Sequence, residues 1–277
     1  MTVAAIAYTE LKRTDPVALA KVIDILKEHP HYDSRWAAQI DMRPNEDEKN
    51  QLLFMLAAKW PDDVRGDQDF DRPEDHFIDF PFKPEGQPAS VTVDQPHDEN
   101  LVVSFERNID TGKNAPSDAD KAVAIAWLFH QAGDVAQPLH TSTLFTTQFP
   151  EGDRGGTHFY IRVRPNAETI SLHKFWDDLI LGSEKFQAVR SRASHLREEH
   201  PRSGFTAELA DSQVASWAQE SFKLSREVAY KNGHLEGSTD RHNGKTLKPE
   251  YVSDAKALAE RRATLAGYRL AEVLKRL

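Results

Sequence analysis

The chain has 277 residues, 39% hydrophobic and 29% charged, with no cysteine and a formal charge of −9. That supplies apolar material for a substantial core, and the apolar runs are too short to span a bilayer. Disulfides and thiolate metal ligands are excluded, and the acidic balance argues against gripping duplex nucleic acid through a basic face. It does not argue against an enzyme that meets phosphate through bound cations, because each cation inverts the local field.

In chain order the pattern is mostly helical. Residues 3–11 carry apolar positions at helical spacing. The stretch 1–8 lacks a basic n-region and a small-residue cleavage site, so it is a poor signal peptide. Thr14-Asp15-Pro16 restarts the chain with a cap and a first-turn proline. Leu19, Val22, Ile23 and Leu26 then form the stripe of a second helix ending near His29-Pro30. A third is predicted over 46–59, with Leu52, Leu53, Met55 and Leu56 inward.

Residues 61–97, rich in Pro, Asp and Phe, read as an ordered loop-like excursion. Helices resume over 100–111 and again after Pro116, where Ser117 and Asp118 are cap candidates for the run 122–130. That run is apolar nearly all round, which predicts a central buried helix. Gly155-Gly156 leads into a strand over 157–164, half of a small hairpin. Helices over 170–181, 184–199, 206–230 and 252–277 complete the set, and the polar stretch 232–250 reads as a surface loop. With no repeat and no linker, the expectation is an all-α fold: a single multi-helix domain over 1–277 with a small β-hairpin.

The chemistry lies in the middle of the chain. His130 with Asp134 and His173 with Asp177 are spaced i, i+4, so each pair places imidazole and carboxylate on one helix face. Asp62 with His76 forms a third pair, and His140 closes the run that starts at Gly133. Imidazole and carboxylate donors without thiolates suggest a cluster of divalent metals, zinc above all. Such ions keep open coordination positions, acidify a bound water and polarise a phosphoryl oxygen. A single histidine is more often a satisfied core residue; the joint occurrence of these pairs with His140 moves the balance to metal. His29, His31, His97, His195, His200, His234 and His242 lie in polar surroundings and read as surface histidines, while His158 could point either way along its strand.

With these residues in view, the chain resembles the zinc-dependent single-strand-specific nucleases of the S-one/P-one (S1/P1) type, which share a superfamily with bacterial zinc phospholipase C. The matching segments are Trp60-Pro61-Asp62-Asp63-Val64-Arg65, His76-Phe77-Ile78-Asp79, the run from Phe129-His130 to Leu139-His140, Asp153-Arg154-Gly155-Gly156, and Leu172-His173 with Trp176-Asp177. The tail Ala266-Gly267-Tyr268-Arg269-Leu270-Ala271 is similar to the family's final helix.

The resemblance implies a phospholipase C/nuclease-like fold. It also implies one zinc on Asp62, His76, His130 and Asp134, and a second on His140, His173 and Asp177. Asp134 would further bridge to a third. A water oriented by Asp62 would attack phosphorus and the 3′-oxygen would leave, giving 5′-phosphate ends. Arg65 matches the arginine that stabilises charge on phosphorus, a task suited to a planar fork of donors. Phe77 and Asp79 match the pocket that stacks and hydrogen-bonds an unpaired base. Judged alone, Phe77 would be core and Arg65 a surface partner of Asp62 or Asp63. Trp60 and Trp176 read as packing around the ligands.

The chain departs from the family pattern in three places. Ala136 stands where a histidine is usual and Thr157 where an asparagine is usual. The third-zinc ligands, an N-terminal tryptophan and a nearby Gly-His, have no counterpart before 1–7. The expectation is that a signal peptide and this Trp…His segment lie upstream; the alternative is a two-zinc variant. The resulting reading is a zinc-dependent endonuclease acting on single-stranded DNA and RNA, secreted or periplasmic, without a membrane or stable protein partner. The competing readings are a phospholipase C-like phosphoesterase and a catalytically weakened metal-binding homologue.

Overall fold

The computed structural model describes residues 1–180 and 182–277. Among them are eleven α-helices and five short strands. The chain begins with α1 (Thr2–Thr14), α2 (Pro16–Lys27), α3 (Ala37–Asp41) and α4 (Glu46–Asp63). Asp15 caps α2 by accepting from the Ala18 N–H, and Asn45 caps α4 by accepting from the Glu48 N–H. Strand β1 (Phe80–Phe82) precedes α5 (Leu101–Asn114) and α6 (Asp118–Asp134). Asn100 caps α5 and Ser117 caps α6, each through a side-chain oxygen facing otherwise unpaired N–H groups.

After α6 come β2 (Ser142–Leu144), β3 (Tyr160–Arg162), β4 (Ile170–Ser171) and α7 (Leu172–Asp178). The remaining elements are α8 (Phe186–Glu199), α9 (Thr206–Ala210), α10 (Val214–Leu224), β5 (Lys245–Thr246) and α11 (Pro249–Leu274). Two apolar cores result. The larger gathers α1, α4, α6 and the C-terminal half of α11, with Ile6, Leu11, Trp60, Trp127 and Phe129 sealed inside. Helix α11 lies close against α1 because Gly267 has no side chain: a Cβ there would sit 2.5 Å from the Ile6 side chain. The smaller core packs Phe82, Leu144, Ile161, Leu172 and Trp176 under the strands. Helix α6 belongs to the first core, and Leu139, five residues after its end, belongs to the second.

Several expectations are corrected. The segment 61–97 is not all loop: α4 runs through Pro61 to Asp63, Pro73–His76 form a 3₁₀ turn, and β1 follows. Strand β1 pairs in parallel with β2, joining Phe80 to Ser142, 62 positions later. The strand expected over 157–164 shrinks to β3, which pairs antiparallel with β4, so the small hairpin is present. β5, inside the expected 232–250 loop, adds a third strand in parallel. The helix expected over 170–181 is β4 followed by α7, and Leu181 lies outside the described residues. The helix expected over 206–230 is interrupted between α9 and α10, where the Asp211 carboxylate accepts from the Gln213 N–H and the Asp211 carbonyl accepts from Trp217. A local side-chain acceptor competes there with the helical ladder.

Candidate active site

Helix α6 carries a buried column from Ala122 to Phe129, continued by Gln131 and Ala132, and the half-buried His130 and Asp134 share one face of its last two turns. The buried column fixes where that face points. The last turn of α4 brings Asp62 to the same place, and the 3₁₀ turn brings His76. Nδ1 of His76 lies 3.0 Å from Nε2 of His130 and 3.2 Å from Oδ2 of Asp134. His130 Nε2 is 3.1 Å from Asp134 Oδ2 and 3.8 Å from Asp62 Oδ1.

Six residues beyond Asp134, on a 3₁₀ turn capped by Gln137, His140 faces α7. Its Nε2 lies 3.4 Å from Asp177 Oδ1, and His173 Nε2 lies 3.5 Å from Asp177 Oδ2. Each trio, Asp62/His76/His130 and His140/His173/Asp177, offers ligand atoms within 4.8 Å of one another. Asp134 stands between them, its other oxygen 3.8 Å from His140. All seven residues expected to hold metal therefore converge.

The hydrogen-bond partners test whether these donors fit a cation. Nδ1 of His130 meets the Ala58 carbonyl at 2.9 Å, Nδ1 of His140 meets the His76 carbonyl at 2.8 Å, and Nδ1 of His173 meets the Gly155 carbonyl at 2.8 Å. A carbonyl only accepts, so each Nδ1 carries hydrogen and each Nε2 lone pair is left to face the centre. Outer carbonyls that fix the tautomer and aim the other nitrogen are the usual companions of metal-ligating histidine. Gln137 donates to Asp177 Oδ1 at 2.9 Å, which fixes that carboxylate in the same way.

Electrostatics gives the same answer. Burial disfavours charge on His130, but Asp134 beside it more than offsets this and raises its pKa. His140 is lifted to about 10, again against burial, by Asp134 and Asp177. Burial is likewise outweighed at Asp134, where His130 and His140 hold the carboxyl well below its ordinary value, and at Asp177, where His140 does so. Burial and the neighbouring His140 push His173 down. The carboxylates thus favour positive charge at the centre of the cluster, raising His130 and His140 against their burial. Divalent ions fit this donor set, and neutral imidazole with carboxylate suits zinc.

The other expected residues flank the donors along the chain. Arg65 Nη2 lies 2.7 Å from Asp62 Oδ1, and both side chains are substantially exposed. Phe77 and Asp79 are half-buried on the segment between His76 and β1. Asp79 accepts a 2.6 Å hydrogen bond from Thr143, and burial raises its pKa against the opposing pull of Thr143, His97 and His173. Trp60 and Trp176 are fully buried, as expected of packing residues.

His29 is not a surface residue. It is 3% exposed, its ring 4.5 Å from those of Trp36 and Trp60, and burial lowers its pKa to about 3. His31 is half-buried and accepts from Trp60 Nε1. Neutral histidine serves there as a flat packing piece. His158 is exposed.

Sequence reasoning assigned no role to Gln137 or Asp153. Asp153 is completely buried, accepts from the Leu144 N–H and Tyr230, and shapes the loop whose Gly155 carbonyl holds His173. An acidic residue two positions before a double glycine is the signal that could have found it.

These features define an α-helical protein with a histidine–aspartate centre open to solvent at one rim. The chain belongs to the S1/P1 nuclease family, whose model, described as "S1/P1 Nuclease", matches residues 1–277. It is similar to Endonuclease 5 of Arabidopsis thaliana, 29% identical over 171 residues covering 56% of this chain and 50% of that protein. Endonuclease 3 of the same plant is 29% identical over 166 residues, covering 56% and 51%, and Endonuclease 2 is 26% identical over 176, covering 60% and 56%. The matched regions span about half the length of these curated relatives. Among the described residues, no helix is long and apolar enough to cross a membrane.

Proposed function

We propose that this chain is a zinc-dependent endonuclease that hydrolyses phosphodiester bonds of single-stranded DNA and RNA, leaving 5′-phosphate ends. The observation that carries the reading is the convergence of four imidazoles and three carboxylates, with three Nδ1–H groups tied to carbonyls and three Nε2 lone pairs turned inward. Asp62, His76, His130 and Asp134 would hold one ion and His140, His173 and Asp177 another. Bound zinc supplies Lewis acidity, easing deprotonation of water and neutralising charge on the phosphoryl group.

The protein's own groups perform the rest. Asp62, half exposed on the last turn of α4, orients the attacking water through a carboxylate oxygen. Arg65, on the same rim, turns its guanidinium from Asp62 to the phosphoryl oxygens, matching their spacing with paired N–H donors. Phe77 gives an unpaired base a face to stack on, and Asp79 addresses its polar edge. A base paired inside a duplex could not reach either group, which is the physical source of single-strand preference. The family's export and the single-domain organisation over 1–277 belong to the same proposal.

The test is cleavage of end-labelled single-stranded DNA, duplex DNA and RNA by purified protein, with and without chelator and with zinc restored. We expect single strands to be cut to 5′-phosphate products, activity to vanish with chelator, and zinc to restore it. Undiminished cleavage in chelator would remove the metal reading. Hydrolysis of phosphocholine esters with inert single strands would favour the phospholipase-like alternative.

A further inference from the structure

We infer that Arg262 is a positioning residue that fixes the spacing between the two donor groups through the backbone of the turn after α6. The inference rests on the metal reading of the centre. Asp134 ends α6 beside His76 and His130, and His140 begins the other group, so the residues between them set how far apart the groups stand. Val135 and Ala136 occupy the start of that turn and are buried. Their carbonyls lie past the helix end, where no helical N–H remains to meet them. The Ala136 side chain is a methyl and can hold nothing.

Two groups from other helices supply the missing donors. Ser221 on α10, wholly buried, donates to the Val135 carbonyl. Arg262 on α11, 4% exposed, donates from Nε to the Ala136 carbonyl at 3.2 Å and from Nη2 to Ser221 Oγ at 2.7 Å. A cation at this end of α6 also complements the helix dipole. Glu220 balances the charge, accepting from Arg262 Nη1 at 2.9 Å and from both Nη atoms of Arg269 at 2.8 and 2.7 Å.

Arg269 is equally buried and shares Glu220, but its other contacts are the Glu208 carbonyl and the Trp217 ring, not the turn. The pair separates a positioning role from a structural one. Loss of either arginine disturbs the same ion cluster; only Arg262 holds the turn.

The experiment measures stepwise Co²⁺ affinity by equilibrium dialysis, and the coupling of two bound Mn²⁺ ions by electron paramagnetic resonance, in the wild-type chain, Arg262→Met, Arg269→Met and Ser221→Ala. Both arginine variants lower the melting temperature. Arg262→Met weakens binding of the second Co²⁺, with the roughly 10- to 100-fold typical for losing a direct outer partner of a metal ligand as the upper bound. It also alters the Mn²⁺ coupling, while Arg269→Met leaves both readings as in wild type. Ser221→Ala, the milder change should Arg262→Met fail to fold, moves affinity in the same direction by a smaller factor. The proposal is overturned if folded Ser221→Ala or Arg262→Met binds both ions as wild type does, or if Arg269→Met weakens the second ion equally. A wild-type chain that binds no Co²⁺ overturns the metal reading itself and this inference with it.

Discussion

The two donor groups are built differently. Asp62, His76 and His130 are anchored by the last turn of α4, a 3₁₀ turn and α6, all rooted in the larger core, where His76 and His130 side chains are 7% and 11% exposed. His140, His173 and Asp177 stand on a capped turn and the seven-residue α7, above the smaller core, with His173 and Asp177 at 25% and 37%. Burial beside the larger core does most to position His76 and His130, with the Ala58 carbonyl fixing the His130 ring. Hydrogen bonds from a glycine loop, Gln137 and the turn backbone position the second. Packing is spread over many contacts and is hard to remove by one substitution, whereas a few polar contacts can fail singly. The second group is therefore the one that outer-residue changes should loosen first.

The strongest way to break this contrast is at Asp134, which touches both groups. Asp134→Ala leaves the facing imidazoles without their shared carboxylate, a loss on the order of 3–5 kcal/mol for a partner removed from a buried pair. We expect roughly a thousandfold weaker ion binding, with cleavage falling alongside, measured by competition with a fluorescent chelator. Retained affinity at either group would show that Asp134 does not join them.

Gly155→Ala should separate the groups. Gly155 has φ +59, and a Cβ there would lie 2.5 Å from the Leu139 carbonyl, so backbone carrying the His173 acceptor must shift. We expect destabilisation of about 1–3 kcal/mol and one ion lost per chain, with the first group still loaded. Elemental analysis after dialysis, beside a thermal melt, checks both. Gln137→Leu keeps the side chain's bulk but frees Asp177, and about a tenfold loss at the second group is expected.

Acid dependence sharpens the contrast further. In the ion-free chain the His140 pKa stands at about 10 against an ordinary 6.5. Its pairing with Asp134 and Asp177 therefore stabilises the fold fully below pH 6.5 and fades as pH rises through 10. A cation must expel that proton. Calorimetry in buffers of different ionisation enthalpy should detect release of about one proton when the second group fills near pH 7.5. Affinity there should rise about tenfold per pH unit above 6.5. Binding without proton release would place the charge elsewhere.

The donors were legible because their spacing is local. His130 with Asp134 and His173 with Asp177 fall on one helix face by periodicity alone, and an apolar run ahead of His130 announces a buried strut. Their supports were not legible. The carbonyls of Ala58, His76 and Gly155 have no side-chain signature, and nothing near residue 262 announces that its arginine reaches the turn at 136. His29 read as exposed because its neighbours in sequence are polar, while its neighbours in space are Trp36 and Trp60.

From the sequence alone came the helical class, the caps at Asp15 and Ser117 and the two i, i+4 donor pairs, all encoded within a turn or two of chain; the family resemblance joined Asp62, His76 and His140 to them as ligand candidates. The tertiary structure alone decided that Asp62 and His76 meet His130, that three-residue strands pair across 62 positions, and which nitrogen of each histidine faces inward. Those outcomes depend on which distant surfaces bury one another, and no local pattern records that choice.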